Sequence, residues 1–158
     1  MPSLPKEWRV SFSLQPIDLR SSWKSILHMT TGEDACCFGS RTPALWARSS
    51  NPGFVVHSAI SGDMNKGFFS PPPTIGLYTT IDIRQEIKEE GKMIFTVIID
   101  GVEVHKEENT DPRVFENVAV FVGDPWYSVN EPNYILGYVK DLSIYIKIEP
   151  KKISHGIL

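Results

Sequence analysis

The sequence predicts an all-β jelly-roll sandwich built from two antiparallel sheets, in a single domain spanning residues 1–158. Three observations carry that expectation. Segment after segment alternates apolar and polar residues with period two, as a half-buried strand does. Twelve prolines and eleven glycines among 158 residues sit mostly between those segments, where turns need them. No stretch shows convincing helical spacing, and no internal repeat is present. Two stacked sheets each bury one face, which explains the alternation.

Taken in order, Trp8 to Gln15 places Trp8, Val10, Phe12 and Leu14 on one face, and Pro16 is expected to stop the strand. Trp23 to Met29 is the second, ended by Thr30-Thr31-Gly32-Glu33-Asp34. Ala44 to Ala47 is the third, followed by the turn Asn51-Pro52-Gly53, and Phe54 to Ile60 is the fourth. Met64 to Thr74 is expected to be irregular, because the run Pro71-Pro72-Pro73 cannot join a central ladder. Gly76 to Ile87 reads as a long strand with Leu77, Thr79, Ile81, Ile83, Gln85 and Ile87 on one face. Residues Ile83 to Lys92 could be written as a helix, but the preceding alternation favours strand. Met93 to Asp100 follows the turn at Glu89–Lys92, and Asp100-Gly101 is a hairpin signal leading into Val102–Val104. Asn117 to Gly123 and Leu136 to Ile148 complete about nine strands, with loops at Asn109–Arg113 and Asp124–Asn133.

Composition narrows the function classes. With 41% hydrophobic and 22% charged residues, the chain is neither disordered nor built to span a membrane. A formal net charge of −3 argues against gripping a phosphate backbone, so no nucleic-acid partner and no membrane insertion are expected. Residues 1–79 carry seven Lys/Arg against five Asp/Glu, whereas residues 80–158 carry nine against fourteen. That acidic excess reads as a solvated face rather than a cation site. The opening MPSLPKEW lacks a signal-peptide apolar stretch. An extracellular chain beginning after its signal and a cytoplasmic protein are the two alternatives.

The order of segments resembles laminin-G-like domains, within the wider concanavalin A-like lectin and glucanase group. The carriers are Asp82–Gln85 with Gly91–Gly101, Phe115–Pro125, Leu136–Tyr145 with its Gly-x-x-Lys-Asp lead, and the opening Glu7–Phe12 with Ile26–His28. The resemblance implies a jelly roll and a non-catalytic extracellular recognition module, binding a glycan or a protein through rim loops. Two departures are visible. The disulfide position after the last-strand glycine is Tyr138, and Asn51-Pro52-Gly53-Phe54 offers no clear aspartate for the calcium that some members bind. No cofactor is therefore expected, with calcium, which lacks a clear aspartate site here, kept as the alternative. Gly123–Tyr127 together with the adjacent cysteines resembles divergent extracellular animal proteins of this fold.

Glucanases of this fold carry two glutamates and an aspartate at alternating positions of one strand. Here Asp82 and Glu86 share a face, but Arg84 stands between them and the first glutamate is missing. A solvent-exposed charged face is the expectation, and a glycoside hydrolase-like enzyme ranks third among the functions. His28, His57, His105 and His155 are scattered, with no Gly-x-Ser-x-Gly elbow, zinc spacing, P-loop or dinucleotide fingerprint. His28 and His57 are expected as sheet or core histidines. Catalytic residues and metal ligands are thus expected to be none.

Binding candidates lie on loops. Asp124, Trp126, Tyr127 and Asn130 combine aromatic faces for C–H surfaces with side chains for hydroxyls. The alternative is that Trp126 and Tyr127 cap the sandwich edge. Asp34 and Arg41, with Phe38, form a second candidate rim, and Asp63, Asn65, Phe68 and Phe69 a third. Cys36-Cys37 sits in the second. Adjacent Cα atoms stand about 3.8 Å apart, below the usual disulfide range, so a vicinal bridge competes with two free thiols and with pairing to another chain. A structural or self-associating domain of a larger ectodomain, in which a homo-oligomer would be the assembly, is the alternative function.

Overall fold

The computed structural model describes residues 1–18, 23–48, 53–123 and 136–147. Two five-stranded antiparallel sheets face one another. The front sheet runs in the order β11 (Ala119–Val122), β3 (Trp23–Thr30), β4 (Ala44–Arg48), β5 (Gly53–Ile60), β6 (Asp63–Phe69). The back sheet runs β12 (Leu136–Ile146), β2 (Trp8–Asp18), β7 (Thr79–Ile87), β8 (Met93–Ile99), β9 (Val102–Glu108). A two-stranded ribbon of β1 (Ser3–Leu4) and β10 (Phe115–Glu116) closes one end. The only helical turn among the described residues is a 3-10 turn at Glu89–Gly91, and no helix there is long and apolar enough to cross a membrane. The fold is the expected all-β jelly roll.

Alternation puts the core between the sheets. Trp8, Val10, Phe12 and Leu14 of β2, Ile81 and Ile83 of β7, and Phe95 and Val97 of β8 meet Leu27, Met29, Leu45, Ala47, Phe54 and Val56 of the front sheet, all buried. Each large side chain removed from water contributes roughly 1.5–3 kcal/mol. Trp8 and Phe95 meet edge to face with ring centroids 6.2 Å apart. The β8–β9 hairpin turns on Asp100 and Gly101, both at positive φ (51° and 79°), as a two-residue primed turn requires.

Polar side chains rivet the layers. The buried Asn109 amide donates to Gln85 Oε1 at 2.7 Å, while its oxygen accepts the backbone N–H groups of Ser61 and Asp111. Lys66 of β6 and Glu107 of β9 pair at 3.5 Å across the two sheet edges.

Four expectations need correction. Pro16 does not stop β2, which runs on to Asp18. The β2–β7 ladder has already ended at Leu14–Thr79, and the Pro16 carbonyl accepts the Gly76 N–H on that side, so the N–H that proline lacks is not demanded by β12. Residues 63–69 are not irregular but form β6, a polar edge strand that stops before the prolines. Gly76 and Leu77 precede β7, and Leu77 and Ile87 are exposed rather than facing the core, because both stand beyond the packed part of the ladder. Finally, Asp82 is not solvated. It is only 8% exposed and accepts Arg9 Nη2 at 2.7 Å, while Glu86 pairs with Arg84 at 3.2 Å and with Lys88.

Candidate functional site

The outer face of the front sheet is built unlike an ordinary solvated face. Register sets its residues side by side. Trp23 stands opposite Arg48, Ser25 opposite Trp46, and Trp46 opposite Val55, which in turn faces Phe69. One row along, His28 faces Ala44, Ala44 faces His57, and His57 faces Gly67. Ala44, Trp46 and Val55 form a second buried apolar cluster, separate from the core between the sheets. Small residues leave the large ones room: a Cβ on Gly67 would stand 3.1 Å from the His57 ring.

The loop from Thr31 to Pro43 reaches the same face. Thr30 starts it by accepting the Gly32 N–H and donating to the Glu33 carbonyl. It tightens at Cys37–Ser40, where the Ser40 N–H bonds the Cys37 carbonyl. Gly39 has φ of 94°, and a Cβ there would stand 2.8 Å from Phe115, so this turn requires glycine. The loop returns to β3 through the Thr42 N–H on the Met29 carbonyl. Cys36 and Cys37 are disulfide-bonded to each other and exposed in the middle of it.

This path aims Arg41 across the sheet. Its Nε and Nη2 donate to the two oxygens of Asp34 at 2.7 and 3.0 Å, and its Nη1 donates to Asn65 Oδ1 at 2.8 Å. The guanidinium lies 5.4 Å from the Trp46 ring centroid. A forked, charge-assisted pair of this kind fixes both side chains. At the other end of the face, the Arg48 guanidinium lies 5.1 Å over Trp23. His57 sits between, near Trp23, with its pKa lowered to about 4 by burial first and by the Arg41 charge second, so it is neutral at pH 7. His28 is also held below its usual range by burial, and its Nε2–H donates to the Ser40 carbonyl at 2.7 Å. Ser25 Oγ and His57 Nδ1 are buried without a hydrogen-bond partner among the described residues.

Of the sequence candidates, Asp34 and Arg41 stand together, and Asn65 of the third rim joins them. Asp63 supports the group by accepting the Asn65 N–H at 2.8 Å. Phe69 shares the outer face, but Phe68 turns inward and stacks on His105 at 4.5 Å. Phe38 lies under the Arg113 guanidinium at 3.8 Å. Asp124, Trp126, Tyr127 and Asn130 lie outside the described residues. Sequence reasoning missed Trp23, Trp46, Arg48 and His57 as one group. Their signal was available: aromatic and basic residues recur on the face opposite Leu45, Phe54 and Val56.

The face exposes one indole, that of Trp23 at 38%, while Trp46 is buried at 2%. A fold of concanavalin A-like type is what solved structures display at low sequence identity. A heptameric SAP-like pentraxin from Limulus polyphemus superimposes with a TM-score of 0.63 at 13% identity, over 91% of this chain and 65% of that one. The chain thus spans just under two thirds of that pentraxin's length. The CBM40 of Ruminococcus gnavus IT-sialidase, bound to α2,3-sialyllactose, gives 0.60 at 12% identity over 94% and 79%. An endo-β-1,4-glucuronan lyase from Trichoderma reesei gives 0.55 at 10% identity over 92% and 70%. No family model matches the chain, and no curated protein matches it in sequence.

Proposed function

We propose that the protein is a non-catalytic, extracellular glycan-recognition module whose site is the outer face of the front sheet. The observation that carries this is Arg41, held on three sides by Asp34 and Asn65 above the Trp46 ring. A ligand meeting it finds groups already oriented, so little side-chain entropy is lost on binding, and the π-surface it can reach is the exposed Trp23 ring rather than the buried Trp46. The sialyllactose-bound CBM40 supports a sugar as the ligand, and the laminin-G-like segment order supports a place in an ectodomain. The Cys36–Cys37 bond supports an oxidising compartment.

A glycan array probed with and without calcium tests the proposal. Binding in either condition, abolished by a Trp23→Ala variant that keeps the wild-type melting profile, is the expected result. Silence across the array in both conditions sinks the glycan reading.

A second reading is self-association. It is favoured by Tyr138 and Tyr145, which are 60% and 66% exposed on β12, an edge strand among the described residues. Sedimentation over a range of concentrations separates the two, since a strict monomer excludes assembly.

A further inference from the structure

The two arginines of the face are not equivalent, and the difference names a ligand class. Arg41 is neutralised by Asp34 at hydrogen-bond distance on both oxygens. Arg48 pairs with no acidic side chain among the described residues; its one recorded partner is the Trp23 ring. Trp23 is itself 38% exposed and reachable by a ligand. A guanidinium can use its face on an indole and its in-plane N–H fork on the two oxygens of a carboxylate at the same time. Next to it, the indole face suits the C–H surface of a sugar ring.

Resting on the glycan reading above, we infer that the site takes a carboxylate-bearing saccharide, with Arg48 as the anion anchor and Trp23 as the stacking platform. The net charge of −3 does not oppose this. The acidic excess belongs to residues 80–158, and β7, β8, β9 and β12 from that half all lie in the back sheet. Packed sheets are about 10 Å apart, and the Debye length at physiological salt is about 8 Å, so the front face sees its own arginine before it sees that excess.

The test uses matched sugars: a sialylated trisaccharide and a hexuronate oligosaccharide, each beside its carboxyl-reduced, neutral counterpart, titrated calorimetrically into the wild-type chain. The expected result is at least a tenfold preference for one of the two acids over its neutral form, and which acid it is separates the two sources of carboxylate. Arg48→Ala should abolish that preference. Arg48→Lys, which keeps the charge but not the fork, should lose most of it, and both variants should melt like wild type. Equal affinity for acid and neutral forms, unchanged in Arg48→Ala, overturns the inference while leaving a neutral-glycan module standing. Failure to bind any of the four compounds, with binding to other glycans on the array, also overturns it. Silence everywhere removes the glycan reading itself.

Discussion

Gly67 and His57 face each other across the β5–β6 ladder, and the ring occupies the space that a side chain on β6 would take. Gly67→Ala would place a methyl 3.1 Å from Cδ2 and Nε2. With Trp23 and the Arg41 charge beside it, His57 has little freedom to give way. The expected cost is about 1 kcal/mol in denaturant melts, the low end for overpacking, together with a shifted His57 imidazole resonance. Unchanged values on both counts would show that the ring is not confined.

Acidification should destabilise the fold. His57 has a folded-state pKa of about 4 against an ordinary value of 6.5. Between those values the unfolded chain binds a proton that the folded chain does not, so stability is full above pH 6.5 and is lost as pH falls toward 4. The shift corresponds to about 2 kcal/mol once solvent screening at this partly open face is allowed for. His28, also depressed, contributes with the same sign. Melts of wild type and His57→Gln between pH 7 and 4 check this, the variant giving the flatter profile.

The Arg41–Asp34 pair should be strongly coupled. Removing either partner leaves the other charge only 14–20% exposed, so Arg41→Ala and Asp34→Ala should each cost about 1–3 kcal/mol. The double variant should cost much less than their sum, giving a coupling of about 1–2 kcal/mol in a double-mutant cycle. Simple additivity would show that the two side chains act independently.

Reducing Cys36–Cys37 should barely alter stability. The bond joins neighbours in sequence and restrains little of the unfolded chain, so the loss should be about 1 kcal/mol. Its effect should fall on recognition, because the bonded pair lies between Asp34 and Arg41. Intact mass after alkylation, with and without reductant, establishes the oxidation state, and glycan affinity in the two states reads the consequence.

Truncating the core is a separate matter. Phe95→Ala, which removes a 2%-exposed ring packed on Trp8, should cost about 3–5 kcal/mol and lower the melting temperature accordingly. A loss below 1 kcal/mol would mean that the two sheets do not pack as described.

The back sheet was legible in the sequence because its strands alternate cleanly and its tightest hairpin turns on Asp100-Gly101. What escaped were elements without that signature. β6 reads DMNKGFF, with one inward aromatic and a glycine just past its centre, since an edge strand has less to bury. β1 and β10 are two-residue ribbons. Asp34 and Arg41 could be singled out as loop residues of complementary charge, but their joining to Asn65 depends on how β4 and β6 flank β5, which no local pattern encodes. Trp46 and His57 look like ordinary strand residues until strand order gives them neighbours. Asp82 escapes a local reading because a charge alternating with isoleucine looks solvated, whereas its Arg9 partner comes from a strand more than seventy positions away.

The order of the front sheet bears on synthesis. β3, β4, β5 and β6 are consecutive in the chain and pair each with the next, and together with the β3–β4 loop they carry the whole constellation from Trp23 to Phe69. The back sheet instead waits for its last strand, in which Ile146 pairs with Trp8. Short-range ladders close sooner than long-range ones. A growing chain can therefore zip this face before the far edge of the molecule has left the ribosome. Pulse-labelled hydrogen exchange should find amides of residues 44–48 and 53–58 protected ahead of those of 138–146.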